Sequence, residues 1–212
     1  MLIAIPLFPR VTALDAIGPY EVLQRLPEAE VRFVGEQTGT VRTDNGMLGL
    51  SVDATFDEVP DPDVVVVPGG IGTRVLISDS ALVDWVKATY PTTRWTTSVC
   101  TGSLILAGAG LLDGLEATTH WGAYDELRAL GAVPTEQRVV EHPAERVITA
   151  AGVSSGIDMA LRLAEHLTDR TTAEAMQLIV EYDPQPPFDA GAPSKASPAA
   201  VAKAAEISRH RH

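Results

Sequence analysis

A single cysteine, Cys100, stands where a strand-forming run, Arg94 to Val99, breaks into Thr101-Gly102-Ser103 and an apolar helical stretch. A thiol on a strand-to-helix turn is a nucleophile candidate, because small residues let the chain turn sharply and hold the sulfur clear of the sheet. The free N–H groups and positive dipole end of the following helix favour thiolate over thiol. The expectation is an exposed, acidic thiol that oxidises readily to sulfenic or sulfinic acid. The competing role is that of a small buried hydrophobe, the commoner fate of a lone cysteine.

A nucleophile needs a proton partner, and the chain offers two. Asp15, in Leu14-Asp15-Ala16-Ile17-Gly18-Pro19, falls just beyond the first strand. In an open parallel sheet, ligand sites form outside the carboxyl ends of the strands, so Asp15 and Cys100 can converge there. Asp15 is equally suited to capping a helix that begins near Gly18. His120, in Ala117-Thr118-Thr119-His120-Trp121, offers the Cys–His alternative. A histidine beside a tryptophan is as often a packed structural residue. The turn Pro68-Gly69-Gly70-Ile71-Gly72-Thr73 follows an all-valine run and can present backbone N–H groups from Gly70, Ile71 and Gly72 to a developing oxyanion. Its other reading is a plain tight turn. Without the Lys and Ser/Thr ending of a phosphate-binding loop, it gives no support to nucleotide binding.

The elements that must position these residues alternate between short apolar runs and amphipathic segments, the pattern of βαβ units around a mostly parallel sheet. Strands are predicted at Leu2 to Phe8, Val31 to Gly35, Val64 to Pro68 and Arg94 to Val99. Val139 to His142 and Arg146 to Ala150 read as a hairpin, and Ala117 to His120 as a short strand. Helices are predicted at Gly18 to Leu26, Ala81 to Tyr90, Ser103 to Ala109, Trp121 to Leu130, Ser155 to Leu167 and Thr172 to Tyr182. Thr171 or Thr172 ahead of Glu174 is the expected cap of the last. Pro184 to Pro193 reads as extended, Ser197 to Ser208 returns to helical composition, and Arg209-His210-Arg211-His212 reads as a solvated end whose histidines are weak metal candidates.

At 212 residues and 45% hydrophobic content, the chain suits one sizeable α/β domain. The net charge of −12, from 28 acidic and 16 basic residues, repels phosphate backbones and anionic membranes and makes nucleic acid an unsuitable partner. One cysteine leaves no internal disulfide and no resolving thiol. The apolar start, Met1 to Phe8, lacks a basic leader and a cleavage site, and no run approaches ~20 apolar residues, so a cytoplasmic protein is expected.

Taken together, Leu14 to Pro19, Val67 to Gly70, Ser98 to Ser103, Ala107 to Gly114 and Ala117 to Trp121 resemble the DJ-1/PfpI superfamily, and within it the isocyanide-hydrating branch. The likeness continues through Gly152 to Leu163 and Glu181 to Gly191, nearly the whole chain. It implies a flavodoxin-like three-layer α/β sandwich with a mostly parallel central sheet and a nucleophile elbow. The chain is read as one domain over residues 1–212, and the return to helical composition at Ser197 favours residues 183–212 as an arm packed on it over a disordered tail. The implied protein is a cytoplasmic homodimer that converts a small isocyanide to an N-substituted formamide through a cysteine thioimidate, with no metal, no organic cofactor and no nucleic-acid or membrane partner. Cys100 is the implied nucleophile, Asp15 its contact and proton carrier, and Thr101 a contributor to the pocket, with Trp121 and Ile157 as candidate apolar walls. Thr101 stands where the family's proteases and amidases carry histidine, and Asp15 where DJ-1-like glyoxalases carry glutamate. Two alternatives remain: a glutathione-independent glyoxalase-like reaction in which His120 moves protons, and a non-enzymatic ligand- or redox-sensing domain.

Overall fold

A computed structural model of the protein describes residues 1–78 and 80–209. The chain divides into two compact units, Met1–Val180 and Glu181–His212. The first opens with β1 (Leu2–Pro6), α1 (Ala13–Leu23) and β2 (Glu30–Gly35), followed by an antiparallel ribbon of β3 (Gly39–Arg42) and β4 (Gly49–Val52). The short β5 (Ala54–Thr55) precedes β6 (Val64–Val67), α2 (Ala81–Thr89), β7 (Trp95–Val99) and α3 (Gly102–Gly108). Next come β8 (Glu116–Ala117), α4 (Tyr124–Ala129), β9 (Val133–Pro134), β10 (Val139–His142), β11 (Val147–Ala150), α5 (Ser155–Leu167) and α6 (Arg170–Ile179). The second unit carries α7 (Pro198–Arg209), matching the helical composition of that stretch, while His210, Arg211 and His212 lie outside the described residues.

Seven strands form one sheet in the order β10-β11-β7-β6-β1-β2-β5, parallel throughout except for the β10–β11 hairpin. This is the flavodoxin-like α/β arrangement, with α1 packed on α5 and α2 on α3. The centre is set by β6, whose Val64, Val65, Val66 and Val67 are all fully buried between β1 and β7. Burying each is worth ~1.5–3 kcal/mol, and β-branched side chains on both faces suit a strand covered on both sides. From β1 the chain steps outward to β2 and later returns to the other flank as β6, so strand order reverses between β1 and β6. The carboxyl ends of that pair are the place where such a sheet leaves a crevice.

Three boundaries differ from those read in the sequence. Helix α1 begins at Ala13, not near Gly18, and carries Pro19 in its interior, so Asp15 belongs to its first turn. Helix α6 is capped by Asp169, whose carboxylate accepts from the Thr172 N–H at 3.1 Å, displacing Thr171 and Thr172 from the cap position. The strand expected at Ala117 to His120 is confined to Glu116–Ala117; the chain then turns into a 3-10 segment, Trp121–Ala123, where His120 is the cap.

Candidate active site

Three chain segments leave the carboxyl ends of neighbouring strands and meet: α1 after β1, the Gly69-Gly70 turn after β6, and the Cys100 elbow after β7. Cys100 adopts φ 57°, a left-handed conformation that a non-glycine residue enters only against steric resistance. Surrounding hydrogen bonds impose it. The Cys100 N–H reaches the Ala150 and Ala151 carbonyls at 3.1 and 3.0 Å, while its own carbonyl accepts from the hydroxyls of Ser103 at 3.1 Å and Thr119 at 3.0 Å. The elbow predicted from the sequence is therefore present, held from the β11 side as well as from α3.

Asp15 is fully buried. Its Oδ2 accepts from the Gly69 N–H at 3.0 Å, and Oδ1 is buried with no hydrogen-bond partner among the described residues. Gly69 must be glycine here: a Cβ would lie 2.5 Å from the Thr101 nitrogen and 2.9 Å from Asp15 Oδ2. Burial raises the Asp15 pKa to about 7; the Gly69 N–H and the Cys100 thiol pull against that rise, and the Asp44 carboxylate adds to it.

The thiol departs from the sequence reading. Cys100 is only 5% exposed, and burial first, then the Asp15 carboxylate, pushes its pKa well above the ordinary thiol range, against the opposing N–H groups of Thr101 and Val153. An exposed, acidic thiol was expected from the start of α3 alone. Desolvation together with an adjacent carboxylate outweighs the two backbone donors. Burial thus favours the protonated form of the thiol and sets it beside a carboxyl raised to about 7, a pairing in which a carboxylate can take the sulfur proton.

The oxyanion turn also requires correction. The Gly70 N–H is taken by Thr101 Oγ1 at 2.9 Å, and the Thr101 hydroxyl lies 3.1 Å from the Gly70 carbonyl, so this side chain clamps the turn instead of lining an open pocket. Gly72 directs its N–H to the Arg10 carbonyl at 3.4 Å. Of the three expected donors, Ile71 alone has an N–H without a partner among the described residues.

His120 is half-buried with its ring 5.4 Å from that of Trp121, which is itself 37% exposed. Ile157, on α5, packs toward α1, within 3.3 Å of the position a Cβ would take on Gly18. Composition and spacing gave no sign of Val153 or Thr119. Val153 has φ 45°, unusual for a β-branched side chain, and it delivers one of the two N–H groups at the sulfur.

A flavodoxin-like sheet with a buried cysteine on the elbow after β7, next to the switch point, and a buried acid after β1 defines a class of α/β proteins. The chain belongs to the DJ-1/PfpI family, whose description matches residues 1–166. It is 44% identical over 198 residues, 93% of this chain and 86% of the relative, to the isonitrile hydratase of Pseudomonas putida. A THiJ/PfpI family protein from Pseudomonas syringae superposes with a TM-score of 0.92 at 38% identity, covering 99% of this chain and 86% of that one. Schizosaccharomyces pombe DJ-1, at 20% identity and a TM-score of 0.74, covers 87% of this chain and all of its own, and shares the fold.

Proposed function

We propose that the protein hydrates isocyanides to N-substituted formamides, with Cys100 as nucleophile and Asp15 as the sole proton carrier. The observation that carries this reading is the similarity, along nearly the whole chain, to an isonitrile hydratase. The buried Asp15–Cys100 pair is the chemistry that such a reaction needs. The terminal carbon of an isocyanide is electrophilic and later basic. Cys100 sulfur attacks that carbon as its proton passes to Asp15, and Asp15 returns the proton to the same carbon, leaving a thioimidate. Water then adds to the thioimidate carbon, giving one proton to Asp15, which protonates the nitrogen. Collapse of the adduct forms the formamide carbonyl and expels sulfur, which recovers the remaining proton. The sum is one isocyanide plus one water.

A carboxyl with a pKa of about 7 suits both halves, since it takes and gives protons at neutral pH with little penalty in either direction. The unpartnered Ile71 N–H, two residues after the Gly69 that binds Asp15, would meet developing negative charge. A homodimer in the cytoplasm, needing neither metal nor organic cofactor, completes the reading.

The test is formamide production from a simple aryl or alkyl isocyanide, beside Cys100→Ala and beside lactate production from methylglyoxal. Turnover that disappears in Cys100→Ala is expected. Isocyanide turnover that survives in pure Cys100→Ala protein, or lactate formation with no formamide, overturns the reading.

A further inference from the structure

His120 is the one sequence-predicted proton carrier to which the mechanism gives no task, and its surroundings assign it a different one. Its Nδ1 accepts a hydrogen bond from the Gly122 N–H at 3.2 Å, so the proton of the neutral ring sits on Nε2. Adding a proton to Nδ1 would set two N–H groups against each other. Burial, and then the Arg74 guanidinium, lower the His120 pKa, which keeps the ring neutral in the same direction. Arg74 is itself held by Glu126 at 3.1 Å, bridging the segment after the Gly70 turn to α4. A ring locked this way is a poor base at Nδ1.

The ring has a close neighbour instead. A Cβ on Gly152 would lie 2.7 Å from His120 Cδ2 and 3.5 Å from Cγ, so the imidazole edge occupies the space a side chain would take at that position. Gly152 directly precedes Val153, whose backbone is held at φ 45° and whose N–H acts on the Cys100 sulfur. On the other side of the same turn, the Ala150 and Ala151 carbonyls hold the Cys100 N–H. His120 is also joined to the elbow through Thr119, whose hydroxyl donates to the Cys100 carbonyl.

We infer that His120 is a positioning residue: its neutral ring is a fixed spacer that seats the Gly152–Val153 turn so that the Val153 N–H meets the Cys100 sulfur, and it carries no proton in the reaction. The inference needs only a Cys100 that can be alkylated, so it stands or falls separately from the identity of the substrate.

The experiment follows the rate constant of Cys100 alkylation by iodoacetamide at pH 8 in the full chain, with thermal unfolding as the check on folding, for His120→Ala and His120→Phe. Only the thiolate reacts, so at a fixed pH below the thiol pKa the rate reads the thiolate fraction. Removing the ring frees the turn and weakens one N–H donor to the thiolate, so the rate falls about tenfold in His120→Ala. Phenylalanine keeps a flat ring of similar size but can hold no proton, and it brings the rate back to within about twofold of the parent. Asp15 is the charged group that faces the sulfur, and it is the same in all three proteins. If His120→Phe is impaired as much as His120→Ala, or if neither lowers the rate, the inference is overturned. Should His120→Ala fail to fold, a folded His120→Phe protein with an unchanged rate still supports the spacer role, and a lowered one removes it.

Discussion

Two carboxylates, one in the first turn of α1 and one on strand β10, have opposite fates. Asp15, at the crevice, is fully buried with one oxygen unpartnered, and burial holds its pKa at about 7. Glu141, on the edge strand β10, is also partly withdrawn from water, yet burial is outweighed by its partners: Arg162 Nε lies 2.8 Å from Oε1, His166 Nε2 lies 2.5 Å from Oε2, and the pKa is lowered. His166 in turn stacks on Trp95 at 4.7 Å. The difference lies in the partners each carboxylate is given. An arginine and an imidazole hold the Glu141 carboxylate in its charged form, whereas Asp15 has one backbone N–H and a thiol against its burial, and its protonated form is favoured.

The largest effect is expected where that comparison is broken at the crevice. Asp15→Asn keeps an oxygen for the Gly69 N–H but removes the proton carrier, and should lower kcat/KM by ~10²–10⁴. In the parent, kcat/KM should fall about tenfold per pH unit below pH about 7, because an Asp15 already protonated cannot receive the thiol proton; the apparent value belongs to the Asp15–Cys100 pair. A flat profile from pH 5 to 8 would remove Asp15 from the role of base.

The same substitution sharpens the comparison in stability. Asp15 has a folded pKa raised from 3.8 to about 7, so between those values the folded protein keeps a proton that the unfolded chain has released. Parent stability therefore falls as pH rises through that window and stays reduced above it, by at most about 4 kcal/mol. Asp15→Asn should melt higher than the parent at pH 8, with the gap closing toward pH 4. Equal melting temperatures at pH 8 would mean that the fold bears no penalty for this acid.

The smallest effect belongs to the satisfied partner. Glu141→Gln should destabilise by ~0.5–1 kcal/mol at neutral pH, since the Arg162 and His166 side chains are partly in water. Its folded pKa is lowered, so this contribution is present above the ordinary carboxylate range and disappears as pH falls through the folded value. Chemical denaturation at pH 7 and pH 3 separates the two, and a Glu141→Gln deficit that persisted in acid would point to packing instead of charge.

Much of this arrangement was legible in the amino-acid order. The valine run of β6, the break after Val99 and the acid after the first strand were enough to place Asp15 and Cys100 at one crevice, because topology brings the ends of β1 and β7 to either side of β6. The ribbon of β3 and β4 was missed, since it lies on the surface, where strands carry little alternation of apolar residues. Asn45-Gly46, with φ 74° at the glycine, was the available turn signal. The clamping of Gly70 by Thr101 and the burial of the thiol were not legible, because both depend on distances between segments from different strands. A helix start favours thiolate, but only packing decides whether water reaches the sulfur.

The two margins of the main sheet bear on a different hazard, association through unpaired backbone. One margin is β5, only Ala54–Thr55, too short to template a foreign strand; the other is β10, where Glu141 and His142 carry polar side chains and His142 Nε2 lies 2.7 Å from the Glu116 carbonyl. Both boundaries of a strongly apolar parallel sheet are thus blunted, one by brevity and one by charge. The valine-rich centre can be as sticky as its packing requires without making the folded protein prone to fibrils.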